Sequence, residues 1–197
     1  MSKSKPYQPL ILRLLHGINA VIAVSAIMTA FCVYNIHDGR FGKISLPMIP
    51  DIVGIHGTFG LMLFLFFPFF AVYSFYFGKK RLIQSDSFQK LSQIGKPIWW
   101  YSLHRITNTL MLLAIFLGVL SGKMVQEEWI TAQDFNHVWY SLHLISWGII
   151  VFSLAIHLLM SAKIGGMPLI VSMFNFKYRQ EDSPAIWMAK IKAFFRR

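Results

Sequence analysis

The sequence predicts an all-α integral membrane protein: a four-transmembrane-helix bundle with both termini on the cytoplasmic side. Three observations predict it. First, 55% of the 197 residues are hydrophobic and only 14% are charged, against roughly 25% charged in a soluble domain. Second, four uncharged runs stand between charged residues: Arg13 to Asp38, Asp51 to Lys79, Arg105 to Lys123, and Asp134 to Lys163. Crossing the hydrocarbon takes about 20 mostly apolar residues. Third, the basic residues are segregated. With the N terminus and the even loops on one side, that side holds 16 of the 19 Lys and Arg, and only Arg40, Lys43 and Lys123 lie opposite. This is the positive-inside pattern.

The elements follow in order along a single domain spanning residues 1–197. The first span covers about residues 10–35. It is too long for a signal-peptide core, and its removal would discard His16, so it is read as retained. The second covers about 54–78. A polar inner loop, Lys79 to Lys96, ends at Pro97. The third span, about 100–122, is only just long enough, and "IWWYSLH" gives it an aromatic interfacial start. The fourth covers about 137–162, and Gly165, Gly166 and Pro168 are expected to end its helix. The outer loops are short and mildly acidic, with Asp38, Asp51, Glu127, Glu128 and Asp134. Residues 163–197 form an interfacial tail. In it Ser183-Pro184 suits a helix start, and "AIWMAKIKAFFRR" mixes Trp187, Phe194 and Phe195 with four basic residues. Such a segment lies on an anionic leaflet; a docking surface for another subunit is the rival reading.

The net charge of +11 invites a nucleic-acid partner, but the segregation of that charge reports topology instead. Membrane lipid is the expected partner, and nucleic acid is not. Cys32 is the only cysteine, so an intramolecular disulfide is excluded, and it reads as a small buried hydrophobe.

The chemistry lies in the histidines. Of seven, His37 and His137 fall in or beside the outer loops and read as solvated. His16, His56, His104, His143 and His157 fall within spans or at their inner ends, where a polar side chain is costly and usually has a partner or a task. Fourteen residues of helix rise about 21 Å and turn about 1400°, so His143 and His157 share a face, one near each membrane surface. By height the four span histidines pair as His16 with His157 inside and His56 with His143 outside. His104 competes with His16 by depth. Two imidazoles at matched depth on different helices suit axial ligation of a b-type haem, and two such haems would carry electrons across the bilayer. Gly17, Gly54, Gly57 and Gly60 either make room for a flat macrocycle or serve close helix packing. Zinc would want three or four clustered ligands, and a proton relay would want a carboxylate at depth. The spans offer neither. Met28, Met62, Met111, Met124 and Met160 read as core or lipid-facing residues.

"RLLHGINAVIAV", "GIHGTFGLMLFL", and "LH" followed fourteen residues later by "IHLLMSAKIGGM" resemble the span motifs of the bacterial cytochrome b561 family. That family includes the cytochrome b subunits of formate dehydrogenase and nickel–iron hydrogenase. The resemblance covers nearly the whole chain from Arg13. It implies two bis-histidine haems b, the inner held by His16 and His157 and the outer by His56 and His143. It further implies that His104, Arg105 and Asn108 touch quinone or a haem propionate, Arg105 being suited to a propionate. Gly17, where an aromatic residue often follows the first histidine, and "AVYSFYFGKK", which lacks an arginine common in some relatives, depart from the pattern.

The function expected is transmembrane electron transfer between a redox protein subunit on the outer face and the membrane quinone pool. By analogy with the relatives, quinone is reduced on the inside. Two alternatives are a stand-alone superoxide:quinone oxidoreductase and a haem-free membrane anchor or assembly subunit. The expected location is a bacterial inner (plasma) membrane or an internal energy-transducing membrane.

Overall fold

A computed structural model describes residues 7–175 and 177–194. Lys3, Lys5, Phe195, Arg196 and Arg197, which the sequence places in the basic end segments, lie outside the described residues.

The fold is all-helical, and four helices are long and apolar enough to cross a membrane. Helix α1 spans Leu10–Val33 and continues into a wider π-type turn over Tyr34–Asp38. Gly39, at φ 64°, closes that turn, and its N–H donates to Tyr34 O at 2.9 Å. A left-handed closing residue favours glycine, which has no Cβ to clash. Helix α2 spans Ile52–Tyr76, with Asp51 capping Gly54 N–H at 3.2 Å. A one-turn helix, α3 (Ser87–Lys90), lies in the following loop. Helix α4 runs Pro97–Met124 and starts at its proline, as a residue without N–H allows. A short α5 (Glu127–Thr131) precedes α6, Val138–Ser172. The tail ends in α7, Pro184–Phe194.

Two details differ from the sequence expectation. The fourth helix does not stop at Gly165: its geometry breaks at Gly166 (φ 63°, ψ −170°), and one further stretch runs on to Ser172. The break satisfies Pro168, which cannot continue a regular ladder, and glycine alone adopts it without strain. His137 is not merely solvated. Its ring stacks on Trp129 at 3.7 Å, and its Nε2 lies 3.2 Å from Asp134 Oδ2.

Helix α1 packs chiefly along α2, and α4 along α6, while contacts between these two pairs are sparse. The bundle is therefore two helix pairs that stand apart around a central groove. Two small apolar clusters are buried in the bundle: Ile22, Ala26 and Leu63 on α1 and α2, and Phe67, Leu112 and Ile115 with Leu82 from the loop after α2. Large apolar side chains such as Val21, Phe69 and Leu159 point outward, as a lipid-facing surface requires.

At one end, which carries most of the basic residues, the terminal segments meet. Asp182 accepts from Tyr7 Oη at 2.6 Å and Leu10 N–H at 2.5 Å, so a tail carboxylate caps α1 from 172 residues away. The two terminal segments thus share one end of the bundle. At the acidic end, Tyr140 Oη donates to Asp38 Oδ2 at 2.7 Å, and Arg40 pairs with Asp38 at 2.8 Å.

Candidate functional site

The five span histidines converge in two layers. At the basic end His16 on α1 lies 6.2 Å from His157 on α6, centroid to centroid, and His104 on α4 lies 5.2 Å from His157. At the acidic end His56 on α2 lies 5.9 Å from His143 on α6. The fourteen-residue spacing on α6 points both of its histidines into the central groove. All five are half-buried.

Three of the rings are gripped from behind. His143 Nδ1–H donates to Gly118 O at 3.0 Å, with Ser121 Oγ at 3.3 Å. Carbonyl oxygen only accepts, so the proton sits on Nδ1. His157 Nδ1–H donates to Asn108 Oδ1 at 2.8 Å, while Asn108 Nδ2 donates to Arg81 O at 3.1 Å and fixes which way the amide faces. His56 Nδ1 lies 3.1 Å from Thr29 Oγ1, whose own proton goes to Ser25 O at 2.9 Å, leaving the hydroxyl to accept. In each case the tautomer leaves Nε2 with its lone pair free. Metal-bound histidines are held in this way, the second nitrogen donating to an outer partner.

The spacing also suits one iron between two rings. With metal–nitrogen bonds of about 2.0 Å and about 1.1 Å from nitrogen to ring centre, two axial imidazoles have centroids about 6 Å apart. His16–His157 and His56–His143 meet that figure, whereas His104–His157 is shorter. Among the described residues no group of three or more His, Cys, Asp or Glu could hold a metal ion alone. Two facing imidazoles in a pair are a donor set that suits a haem iron.

A cavity of about 600 Å³ borders the acidic-end pair, lined by His56, His143, Gly57, Gly60, Tyr34 and Trp147 among others. A Cβ added at Gly57 or Gly60 would meet nothing within 4 Å, and the same holds for Gly17 at the basic end. These glycines open space and do not seat a neighbouring helix. Gly54 differs: its added Cβ would strike the Asp51 carboxylate, so it serves the α2 cap. The residues fit haem b on these grounds.

Asn108, Arg105 and His104 share α4 but face different neighbours. Asn108 is fully engaged with His157 and Arg81. Arg105 lies close enough to Asp86 to help hold that carboxyl below its usual range, behind the larger effect of the Lys90 hydrogen bond. His104 Nε2 lies 3.5 Å from Ser161 Oγ. The residues that sequence reasoning missed are Thr29, Gly118, Ser121 and Gly122. Their only signal is a hydroxyl or glycine in an apolar span, with Ser121 and Gly122 about one helical turn after Gly118. A Cβ on Gly122 would fall 2.8 Å from His143 Cε1, so this glycine lets α4 approach the ring.

A family model described as prokaryotic cytochrome b561 matches residues 7–175. No curated protein and no solved structure matches the chain.

Proposed function

The chain belongs to the prokaryotic cytochrome b561 family, whose members transfer electrons across membranes through haem b, and from that membership we propose a two-haem path between a redox protein and quinone. His16 and His157 hold the haem at the basic end, and His56 and His143 hold the one at the acidic end. The observation that carries this reading is the matched pair of imidazole pairs, three of the four rings having Nδ1 held by a neighbour and Nε2 left with its lone pair. When bound, each haem would supply one-electron exchange, with the paired histidines as the side chains that would hold it.

The remaining tasks belong to the protein. Asn108, Gly118 with Ser121, and Thr29 orient the ligand rings and keep their tautomer. The buried side chains of Ile22, Leu63, Phe67 and Leu112 give the bundle an apolar interior. His104 is the third imidazole of the basic layer and is not required as an axial ligand. Its place beside His157 suits it to hydrogen-bond a quinone carbonyl there, with Arg105 at the loop side of the same approach. The acidic end, with Asp38, Glu127 and Glu128, faces the redox partner. The basic end is cytoplasmic by the positive-inside bias, in a bacterial plasma membrane or an internal energy-transducing one.

The test is haem content in His143→Ala and His16→Ala. Each variant is expected to keep one haem per chain, because His157 and His56 belong to different layers. Loss of both haems from either folded variant contradicts the layered assignment.

A further inference from the structure

Arg13 is the odd residue of the basic end. It lies on α1 three residues before His16, which is one turn nearer the helix end and on the same face, about 4.5 Å along the axis. Its side chain is only 5% exposed. Among the described residues it forms no ion pair, and its buried Nε has no hydrogen-bond partner. Its one hydrogen bond runs from Nη2 to the Lys177 carbonyl at 2.9 Å, and its guanidinium carbon lies 5.5 Å from the Tyr7 ring.

A guanidinium presents five N–H donors, and burying them with few partners is costly. The nearby Asp182 carboxylate feels the Arg13 charge but forms no direct ion pair with it. Asp182 already accepts from Tyr7, Leu10 N–H and Trp187. Arg105 differs in being less buried.

We propose that Arg13 binds a propionate carboxylate of the haem held by His16 and His157. The proposal rests on the two-haem reading above. It moves the propionate contact from Arg105, where the motif resemblance put it, to a cation that is buried, unpaired and one turn from a ligand. The free Nε and its neighbouring N–H groups offer the planar fork that a carboxylate accepts in two parallel bonds.

The test is a redox titration of the purified holoprotein, followed at the visible haem bands, for wild type, Arg13→Gln, Arg13→Lys and Asp182→Asn. Without the guanidinium, the propionate charge favours the ferric state. Arg13→Gln is therefore expected to shift one haem's one-electron equilibrium towards oxidised by at least tenfold, about 59 mV, and to leave the other in place. Arg13→Lys keeps the charge and is expected to shift less. Asp182→Asn loosens the tail that carries the Lys177 carbonyl and removes a carboxylate near Arg13, but it keeps the guanidinium, and it is expected to shift that potential less than Arg13→Gln. Unchanged potentials in Arg13→Gln overturn the proposal, as does an equal shift in Asp182→Asn. Should Arg13→Gln drop a haem, retention of both haems in Arg13→Lys supports the charge pairing. Haem loss in Arg13→Lys and Asp182→Asn alike assigns Arg13 to holding the tail, and overturns it. Failure of the two-haem reading itself looks different: wild type would then lack two haems per chain.

Discussion

Replacing Gly122 with alanine should weaken the acidic-end haem and spare the other. The added Cβ would fall 2.8 Å from His143 Cε1 and 3.1 Å from its Nδ1. The Nδ1 side of that ring is fixed by Gly118 O and Ser121 Oγ, so it cannot swing away without giving up those bonds. The methyl must therefore displace either α4 or the imidazole. Overpacking of this kind costs about 1–3 kcal/mol, which is roughly 5- to 150-fold in affinity at about 1.4 kcal/mol per tenfold. The matched control is Gly148→Ala on α6, where an added Cβ meets nothing within 4 Å. Gly118→Ala makes an intermediate case, with contacts at 3.6 Å that need no rearrangement. The assay is haem per chain from reduced-minus-oxidised spectra, with the apoprotein titrated to compare affinities. Equal acidic-end haem affinity in Gly122→Ala and Gly148→Ala would refute the reasoning, because it would mean His143 is not pinned as a ligand.

Three further outcomes are expected. Asn108→Leu removes the acceptor for His157 Nδ1–H and should weaken the basic-end haem about 10- to 100-fold, read by haem titration; an unaltered affinity would detach Asn108 from that role. His104→Ala should keep both haems yet slow quinone reduction, measured with a soluble quinone analogue, and loss of a haem would instead make His104 a ligand. The tail clasp should loosen in acid. Burial raises the Asp182 carboxyl, but hydrogen bonds from Tyr7, Leu10 N–H and Trp187, with the Arg13 charge, outweigh it and hold the pKa below the ordinary value. A lowered folded pKa means stabilisation that is present at neutral pH and lost as pH falls through that value. Protease cleavage near residues 177–182 should rise on acidification in wild type, and Asp182→Asn should show the raised cleavage already at neutral pH.

Much of the fold was legible because lipid imposes a simple rule: no charge inside, about 20 apolar residues across. The four runs between charged residues mark the four helices, and the fourteen-residue step from His143 to His157 puts both on one face. What stayed hidden depends on which helices pair and how they rotate. Thr29 behind His56 follows from the packing of α1 along α2, and Gly118, Ser121 and Gly122 behind His143 follow from α4 along α6. A hydroxyl in an apolar run does not announce which ring it will meet. Asp182 capping α1 is a contact between chain ends with no local pattern. The break at Gly166 was signalled by Gly-Gly-x-Pro, but the helical stretch beyond it to Ser172 was not. Arg13 read only as one more positive-inside charge, since burial is invisible in composition.

The most direct measurement is haem content together with low-temperature electron paramagnetic resonance of the purified oxidised protein. Two haems b per chain, both low-spin with bis-imidazole signals, are the predicted result. One haem, none, or a high-spin iron with an open axial position would contradict the pairing of His16 with His157 and of His56 with His143.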